Sequence, residues 1–416
     1  MAFCGLDFGT SNSTLGTAQG ASVALVPLEG QATTLPSAIF FDFTTGASLI
    51  GREAIGAYVG GAEGRLMRSV KSILGTSLID EETRLLNSRI GFRAVIGRLL
   101  AEIKRRAETA TGIPLDAVVH GRPVHFVDGD DAADRAAQQA LEEIAHGIGF
   151  RHVSFEYEPI AAALDYEQQV TAEEIALIAD IGGGTSDFSI VRLGPHRREQ
   201  ADRSTDILAN DGVRIGGTDF DRLLSLAAVM PHLGYQSPML RPGLLAPNGY
   251  YVDLATWSRI NFLYAPKVLA ELRQVRHEAR RPALFDRLIQ VIAERRGHTL
   301  AIDVEAAKIG LSEAAETALS LDWVEPGLAV TITRTAFERA TGTLASGIAA
   351  RIALCLAQAG LTADRISTVF LTGGSTLLPH VRAGILAAVP AARVVEGDKF
   401  GSVGLGLTLR ARRLYR

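Results

Sequence analysis

Two segments of the sequence share a plan that suits phosphate chemistry. Each joins an apolar stretch, an aspartate, a glycine turn with hydroxyl residues and a second apolar stretch, at residues 4–13 and 178–188. Backbone N–H groups can approach an anion closely at glycine, because no Cβ intervenes. Two such hairpins facing each other would grip a triphosphate from both sides. The turn residues predicted to bind phosphate are Gly9, Thr10, Ser11 and Asn12 in the first segment and Gly182, Gly183 and Gly184 in the second.

An aspartate precedes each turn, Asp7 in the first segment and Asp180 in the second. Mg²⁺ favours carboxylates, water and phosphate oxygens as ligands. We therefore expect these two carboxylates to hold a Mg²⁺ ion beside the phosphates. One segment alone fits equally well a plain strand that ends in a turn, since short motifs carry a real false-positive risk. Two copies in one chain favour phosphate binding.

Two further segments carry candidate site residues. An apolar strand precedes Gly373, Gly374 and Ser375, and paired glycines offer the flat backbone surface that a nucleoside base needs. Glu158 follows another strand and opens a helix of small residues, where it would position a water or the metal shell. Taken alone, the first segment fits a plain strand-to-helix turn. The second fits a capped helix start, where a carboxylate suits the helix dipole.

Composition places the chain among ordinary globular proteins. It has 416 residues, 47% of them hydrophobic and 21% charged, which is enough for two or more domains. The net charge is −4, so the composition does not indicate the excess of basic residues that is typical of nucleic-acid-binding proteins. Cys4 and Cys355 lie in apolar runs, which predicts buried, reduced thiols in a cytoplasmic protein. No secretory signal is visible, and the apolar run 348–360 is too short to span a bilayer. We expect neither a nucleic-acid nor a membrane partner.

Strand and helix patterns alternate along the chain and predict an α/β fold. Apolar residues of 88–111 follow helical spacing and predict one amphipathic helix there. Two similar halves each open on a phosphate hairpin. We predict a first lobe at 1–172, to which a C-terminal helix at 398–416 returns. A second lobe at 173–397 would carry a mainly helical inserted subdomain at about 221–320.

In this order the motifs resemble the actin-like ATPase superfamily, most closely the nucleotide-binding domain of DnaK-type heat-shock chaperones. Residues 70–75 resemble the A-K-R-L-I-G segment of those chaperones, and residues 216–221 resemble their G-G-x-D-F-D segment. Residues 305–312 resemble their E-x-x-K-x-x-L-S adenosine helix. The resemblance covers almost the whole chain. It implies a two-lobed fold in which each lobe is a ribonuclease-H-like mixed sheet with flanking helices, plus inserted subdomains.

The resemblance also implies ATP or ADP and Mg²⁺ as ligands. Lys71 would meet the γ-phosphate and the attacking water, and Asp180 would accept the proton. Glu158, Thr185 and Asp187 would orient that water or the metal shell. Phosphoryl transfer requires positioning and charge neutralisation more than covalent chemistry, and these residue types supply both. The remaining nucleotide contacts implied are Gly216, Gly217, Glu305, Lys308, Ile309, Ser312, Gly373, Gly374, Ser375, Leu377 and Asp398.

The sequence departs from the chaperone pattern in two places. Ile309 and Leu377 stand where the chaperones sandwich adenine between two arginines, so the cation–π contribution is gone while phosphate binding is untouched. We expect no apolar linker and no peptide-binding sandwich after the last helix. We therefore expect the chain to be most similar to the short YegD-type chaperone-like proteins.

These features predict a chaperone-like protein that hydrolyses ATP slowly and acts as a conformational switch. A protein partner would read the closure of its cleft. Three alternatives stay open: a small-molecule, sugar-type kinase, a non-hydrolysing nucleotide-binding scaffold, and an actin-like filament protein. No aspartate suited to a sugar pocket is evident, and the long helical insert disfavours a filament. The scaffold stays open because every predicted hydrolysis residue is also a binding residue.

Overall fold

The protein, seen in a computed structural model, is described over residues 1–19, 22–86, 88–198, 200, 203–398 and 400–415. These residues form two compact units. Unit 1 comprises Met1–Gly217 and Ser346–Arg416, and unit 2 comprises Thr218–Ala345. Each predicted lobe contributes one large sheet to unit 1. Unit 2 takes in the segment predicted to be an inserted helical subdomain.

The strands and helices follow one another along the whole chain. The strands are β1 (Phe3–Phe8), β2 (Asn12–Gln19), β3 (Ser22–Leu25), β4 (Thr34–Pro36), β5 (Ala38–Asp42), β6 (Ser48–Ile50), β7 (Gly64–Arg68), β8 (Glu82–Leu85), β9 (Ser88–Gly91), β10 (Ala117–Arg122), β11 (His152–Tyr157), β12 (Glu174–Ile181), β13 (Ser186–Leu193), β14 (Ile207–Val213), β15 (Glu316–Ser320), β16 (Ala329–Thr333), β17 (Thr368–Thr372) and β18 (Arg393–Glu396). The α-helices are α1 (Arg52–Val59), α2 (Phe92–Thr111), α3 (Asp131–Gly147), α4 (Glu158–Tyr166), α5 (Gly217–Leu224), α6 (Gly249–Leu254), α7 (Pro266–His277), α8 (Pro282–Ala293), α9 (Gly297–Glu313), α10 (Arg334–Ala359), α11 (Pro379–Ala388) and α12 (Ser402–Tyr415).

The first sheet of unit 1 carries the first hairpin. Its strand order is β11-β10-β1-β2-β3, with β4 paired to β2. Strand β1 runs antiparallel to β2, with Asp7 opposite Thr14, and parallel to β10 on its other side. Almost every residue of β1 is buried, as expected for a central strand that is covered on both faces. Asp7 therefore lies at the carboxyl end of a central strand, where open α/β sheets bind ligands.

The second sheet of unit 1 repeats this plan. Its strand order is β14-β13-β12-β17-β18. Strand β12 runs antiparallel to β13, with Asp180 opposite Asp187, and parallel to β17 on its other side. Because Thr372 at the end of β17 pairs with Asp180, the Gly373-Gly374 turn follows directly beside the second hairpin. The similarity of the two halves is thus one of topology: a hairpin flanked by a parallel strand.

Helices α4 and α12 cross with their backbones almost in contact. A Cβ added at Gly406 would lie 1.7 Å from the carbonyl oxygen of Ala161, so a side chain at Gly406 is excluded. A Cβ at Gly404 would likewise lie 2.3 Å from Oγ1 of Thr14. Apolar residues around the crossing, among them Leu407, belong to one buried cluster with Phe3 and Phe370 of the two sheets. Glycine and alanine therefore let α12 pack closely on α4 and on the first sheet.

The predicted helix at 88–111 is wrong in its first four residues. Ser88–Gly91 forms strand β9, which pairs antiparallel with β8, and α2 begins only at Phe92. The apolar residues with helical spacing begin only at Phe92, so the pattern did not favour a helix over these four residues, and Ile90 is buried in the strand instead. The helix ends as predicted at Gly112, whose φ of 70° is the left-handed conformation that glycine favours.

Both cysteines are free and buried, as predicted. Burial raises the pKa of the Cys355 thiol to about 12, and it also raises the pKa of Cys4. Neither thiol is therefore ionised near neutral pH, which makes both unreactive.

Helix α10, over the described residues, is long and apolar enough to cross a membrane when judged by length and composition alone. One such helix is weak evidence, because a core helix of a soluble protein has the same character. The absence of a membrane partner stays a prediction.

Candidate functional site

A cleft in unit 1 brings the two hairpins together with the charged candidates. It encloses about 610 Å³ of empty space, open solvent included. Its lining residues are Asp7, Gly9, Thr10, Ser11, Asn12, Lys71, Glu158, Asp180, Gly182, Gly183, Gly184, Thr185, Thr372, Gly373, Gly374, Phe400 and Val403. Most of the residues predicted to bind phosphate or metal thus line one cleft.

The two hairpin turns pack directly on each other. A Cβ added at Gly183 would lie 2.3 Å from Oγ of Ser11, and one at Gly184 would lie 2.6 Å from Oγ1 of Thr10. Only glycine therefore permits this approach of the second turn to the hydroxyls of the first. The first turn is fixed in addition by Ser37, whose Oγ donates a 2.7 Å hydrogen bond to the carbonyl oxygen of Gly9.

The carbonyl oxygen of Gly182 joins three of the predicted segments. It accepts a hydrogen bond from the backbone N–H of Gly217 at 2.9 Å and one from Oγ of Ser375 at 3.2 Å. Gly216 is equally close, because a Cβ there would lie 2.4 Å from the backbone nitrogen of Gly184. Gly216, Gly217 and Ser375 therefore contact the second turn but do not line the cleft, whereas Gly182 and Gly184 of the turn itself do.

Lys71 and Glu158 form a buried ion pair in the cleft. Nζ of Lys71 donates a 2.5 Å hydrogen bond to Oε1 of Glu158, and the two side chains are 7% and 10% exposed. Glu158 is held at the first turn of α4, whose second residue is Pro159, a residue suited to helix starts. Lys71 lies on a short 3₁₀ turn, Val70–Ile73. Although burial opposes a charged amine, the carboxylates of Glu158 and Asp7 hold the pKa of Lys71 above its usual value.

Carboxyl groups outnumber cations around this pair. Burial raises the pKa of Asp7 to about 7, with repulsion by Glu158 adding to the effect. Burial and the neighbouring carboxylates, led by Glu158, raise the pKa of Asp180 well above its usual range. The pKa of Asp187 is raised to about 7 by burial and by Glu158. Such shifts mark a cluster of acids that lacks counter-charge, which protons or a bound cation would supply.

These donors fit Mg²⁺. Asp7 and Asp180 present hard carboxylate oxygens in a cleft with excess negative potential, which is what this cation requires. Among the described residues, no three His, Cys, Asp or Glu side chains come close enough to form a metal centre of their own. A Mg²⁺ ion here would therefore keep water or phosphate oxygens in its shell, as Mg²⁺ usually does.

Asp187 lies behind the cleft and is not part of its lining. It is 1% exposed, and its Oδ1 accepts a 2.7 Å hydrogen bond from the backbone N–H of Val124, which follows β10 of the first sheet. Arg214 makes two further links of this kind. Its guanidinium donates to the carbonyl oxygen of Ser72, and its backbone N–H donates to Asp128 at 2.9 Å. Asp187 therefore joins the two sheets, a position the sequence did not reveal.

The paired glycines form the other end of the cleft. Gly373 has a φ of 80°, and a Cβ there would lie 2.3 Å from the carbonyl oxygen of Ile181. Leu377 and Asp398 are not in the lining, whereas Phe400 and Val403 are. Phe400 escaped the sequence prediction because it belongs to no motif. Only its position two residues after Asp398 would have pointed to it.

The predicted adenosine-helix residues lie on α9 in unit 2. Nζ of Lys308 lies 2.8 Å from Oδ1 of Asp221, and both side chains are largely buried. Oγ of Ser312 donates to the carbonyl oxygen of Ile309, whose side chain is 58% exposed. Glu305 is partly buried on the same helix. Within unit 2, Lys308 thus has a buried acidic partner.

Paired mixed sheets, facing glycine hairpins and a buried Lys–Glu pair define a protein with the actin-like ATPase fold. A family model described as Hsp70 protein matches residues 3–230 and 289–406, and the chain belongs to this family. It is 27% identical over 432 aligned positions to a protein named Chaperone protein HscA homolog, from Verminephrobacter eiseniae (strain EF01-2). That alignment covers 99% of this chain and 58% of the relative's length. The chain is thus a member of the Hsp70 protein family that spans little more than half the length of this relative.

Proposed function

We propose that the protein is a slow, Mg²⁺-dependent ATPase that acts in the cytoplasm as a nucleotide-driven conformational switch. The observation that carries the proposal is the cleft itself. Two interlocked glycine hairpins there surround a buried Lys71–Glu158 pair within a cluster of acids. A triphosphate with a divalent cation complements both features, because the turns offer backbone donors and the acids lack counter-charge.

Each residue has a defined role in the proposed reaction. The turns at Gly9–Asn12 and Gly182–Thr185 orient the triphosphate, and Lys71 neutralises charge at the γ-phosphate. Asp180 accepts the proton from the attacking water, and its raised pKa suits a proton acceptor once it is ionised. A bound Mg²⁺ ion would neutralise phosphate charge and favour the ionised forms of Asp7 and Asp180. Glu158 and Thr185 orient the water, whereas Asp187 acts by holding the two sheets together.

Slow turnover follows from two contacts. Lys71 already donates to Glu158 at 2.5 Å, so it must share its charge between that carboxylate and the phosphate. Asp187 already accepts from Val124 at 2.7 Å and is withdrawn from the cleft. Both groups are therefore committed to the fold before substrate arrives, which limits their part in transition-state stabilisation.

The test combines calorimetric binding of ATP and ADP with phosphate release, each with and without Mg²⁺. We expect Lys71→Ala to bind nucleotide and to lose hydrolysis by at least about 100-fold, the usual cost of removing one electrostatic stabiliser. Lys267→Ala is the matched control, because the Lys267 side chain is 86% exposed in unit 2. Turnover by Lys71→Ala equal to that of the wild type would contradict the assignment.

The same experiments separate the alternatives. Phosphate transfer to a sugar without release to water would identify a small-molecule kinase. Nucleotide binding with no turnover at all would identify a scaffold, and an ATP-dependent pellet on sedimentation would identify a filament protein.

The switch requires a partner that distinguishes its nucleotide states. The links of Asp187 to Val124 and of Arg214 to Ser72 join the two sheets beside the cleft. Nucleotide that alters these links would change the relative position of the sheets, which is the motion such a partner would read.

A further inference from the structure

Phe400 is an exposed aromatic residue at the nucleoside end of the cleft. Its side chain is 47% exposed, so the ring is accessible to a ligand in the cleft. A Cβ added at Gly374 would lie 3.6 Å from Cε1 and 3.7 Å from Cζ of this ring, in ordinary van der Waals contact. The ring therefore lies beside the bare backbone of the Gly373-Gly374 turn.

The backbone around Phe400 is held in place. Its N–H donates a 3.1 Å hydrogen bond to Oδ1 of Asp398. The carbonyl oxygen of Asp398 in turn accepts from the N–H groups of Gly401 and Ser402, at 3.3 and 3.2 Å, as α12 begins. Asp398, which the sequence predicted to contact nucleotide, thus acts on this side of the cleft by positioning Phe400.

The cleft has almost no other apolar surface. Among the described residues that line it, Phe400 and Val403 alone have apolar side chains, and the rest are glycine, hydroxyl, amide or charged residues. A nucleoside needs a flat apolar surface, and the sequence lacks the arginine at Leu377 that would supply one. Every base has a π face, so an aromatic ring can replace that arginine without recognising the edge of the base.

We propose that the Phe400 ring packs against the nucleoside of the bound nucleotide and forms the apolar wall of that subsite. This inference rests on the proposed function, since it requires a nucleotide in the cleft. It assigns the binding of the nucleoside to an aromatic residue outside all the motifs of the sequence. A base bound by stacking alone is selected weakly, so ATP and GTP use this wall alike.

The test compares a nucleotide with its phosphate portion alone. ADP and pyrophosphate are titrated, each with Mg²⁺, into wild-type protein, Phe400→Ala, Phe400→Trp and the control Phe262→Ala. Phe262 is a comparably exposed phenylalanine, at 38%, that is not in the cleft lining. We expect Phe400→Ala to weaken ADP binding roughly 5- to 150-fold, the range for loss of one base-stacking aromatic. Pyrophosphate binding stays unchanged, and ATP and GTP lose affinity by similar factors.

Phe400→Trp reports the contact directly. We expect it to keep ADP affinity within a few-fold of the wild type, and its added fluorescence to be quenched by ADP and not by pyrophosphate. The inference is overturned if Phe400→Ala leaves ADP binding unchanged or weakens both ligands equally. It is also overturned if that variant tightens ADP binding, because the ring would then be obstructing the turn. A wild-type protein that binds pyrophosphate but no ADP would instead refute the proposed function, through a different arm of the experiment.

Discussion

Lys71→Met should destabilise the protein in a way that depends on pH. The substitution removes the ammonium group from a pair whose side chains are 7% and 10% exposed, and it leaves Glu158 without its partner. Breaking a buried ion pair from one side typically costs about 3–5 kcal/mol, because the remaining charge is uncompensated. Asp7 and Asp187, with pKa values of about 7, are already partly protonated near neutral pH and limit any further repulsion.

The neighbouring acids set the pH dependence of the effect. At pH 7, near the pKa values of Asp7 and Asp187, part of their charge remains and adds to the uncompensated charge of Glu158. At pH 5 both acids carry protons, so this repulsion is absent. We therefore expect Lys71→Met to lose about 3–5 kcal/mol of unfolding free energy at pH 7 and less than that at pH 5. Lys71→Met/Glu158→Gln should recover most of the loss at pH 7.

The assay is urea unfolding of nucleotide-free protein in EDTA, followed by far-ultraviolet circular dichroism. Tryptophan fluorescence is unsuitable, because Trp257 and Trp323, the two tryptophans of the chain, both lie in unit 2. Glu158→Gln alone should cost less than Lys71→Met, since Asp7 remains to pair with the ammonium. Lys267→Met is the exposed control and should change stability by less than about 0.5 kcal/mol. An equal loss at both pH values would refute the reasoning.

Three further predictions concern the packing and charge of the cleft. Gly183→Ala should abolish ADP binding in calorimetry, because the new methyl group would lie 2.3 Å from Oγ of Ser11; adding Ser11→Ala should restore part of it. Gly406→Ala should lower the free energy of unfolding by about 3 kcal/mol or prevent soluble expression, since its methyl group would lie 1.7 Å from a backbone carbonyl. The control Gly56→Ala on α1 meets no atom within 4 Å and should be neutral or stabilising. Asp187 has a pKa raised from 3.8 to about 7, so its contribution is complete below pH 4 and is lost as pH rises through 7. Asp187→Asn should therefore come closest to the wild type in thermal melts below pH 4 and exceed it at pH 8; parallel pH profiles for the two proteins would count against the raised pKa.

Features that depend on a few consecutive residues could be predicted from the sequence. Glycine turns after an aspartate can be read from a few consecutive residues, and the second such turn lies, as predicted, between two short apolar strands, β12 and β13. Strand β9 could not be read this way. Its pairing with β8 competes with a helical pattern that starts only at Phe92.

Contacts between distant residues explain the rest. Asp187 receives its hydrogen bond from Val124, 63 residues earlier, and Arg214 reaches Ser72, 142 residues earlier. No periodicity or spacing encodes such pairs, so the sequence did not predict that Asp187 accepts a hydrogen bond from the other sheet, and its role in orienting the water or the metal shell stays a prediction. Phe400 was missed for the opposite reason. It stands in no motif, and only the fold brings its ring to Gly374.

The crossing of α4 and α12 also links the far end of α12 to the cleft. Because the two helices touch at Gly406 and Ala161 with no side chain between them, α12 cannot slide along α4 without a clash of the backbones. Glu158 lies at the start of α4, and Phe400 lies just before the start of α12. The far end of α12 is anchored where Tyr415 Oη donates to Ser154 Oγ at 2.7 Å. A displacement of the chain near Tyr415 would thus be carried along α12 to Phe400 at the end of the cleft that Gly373 and Gly374 form.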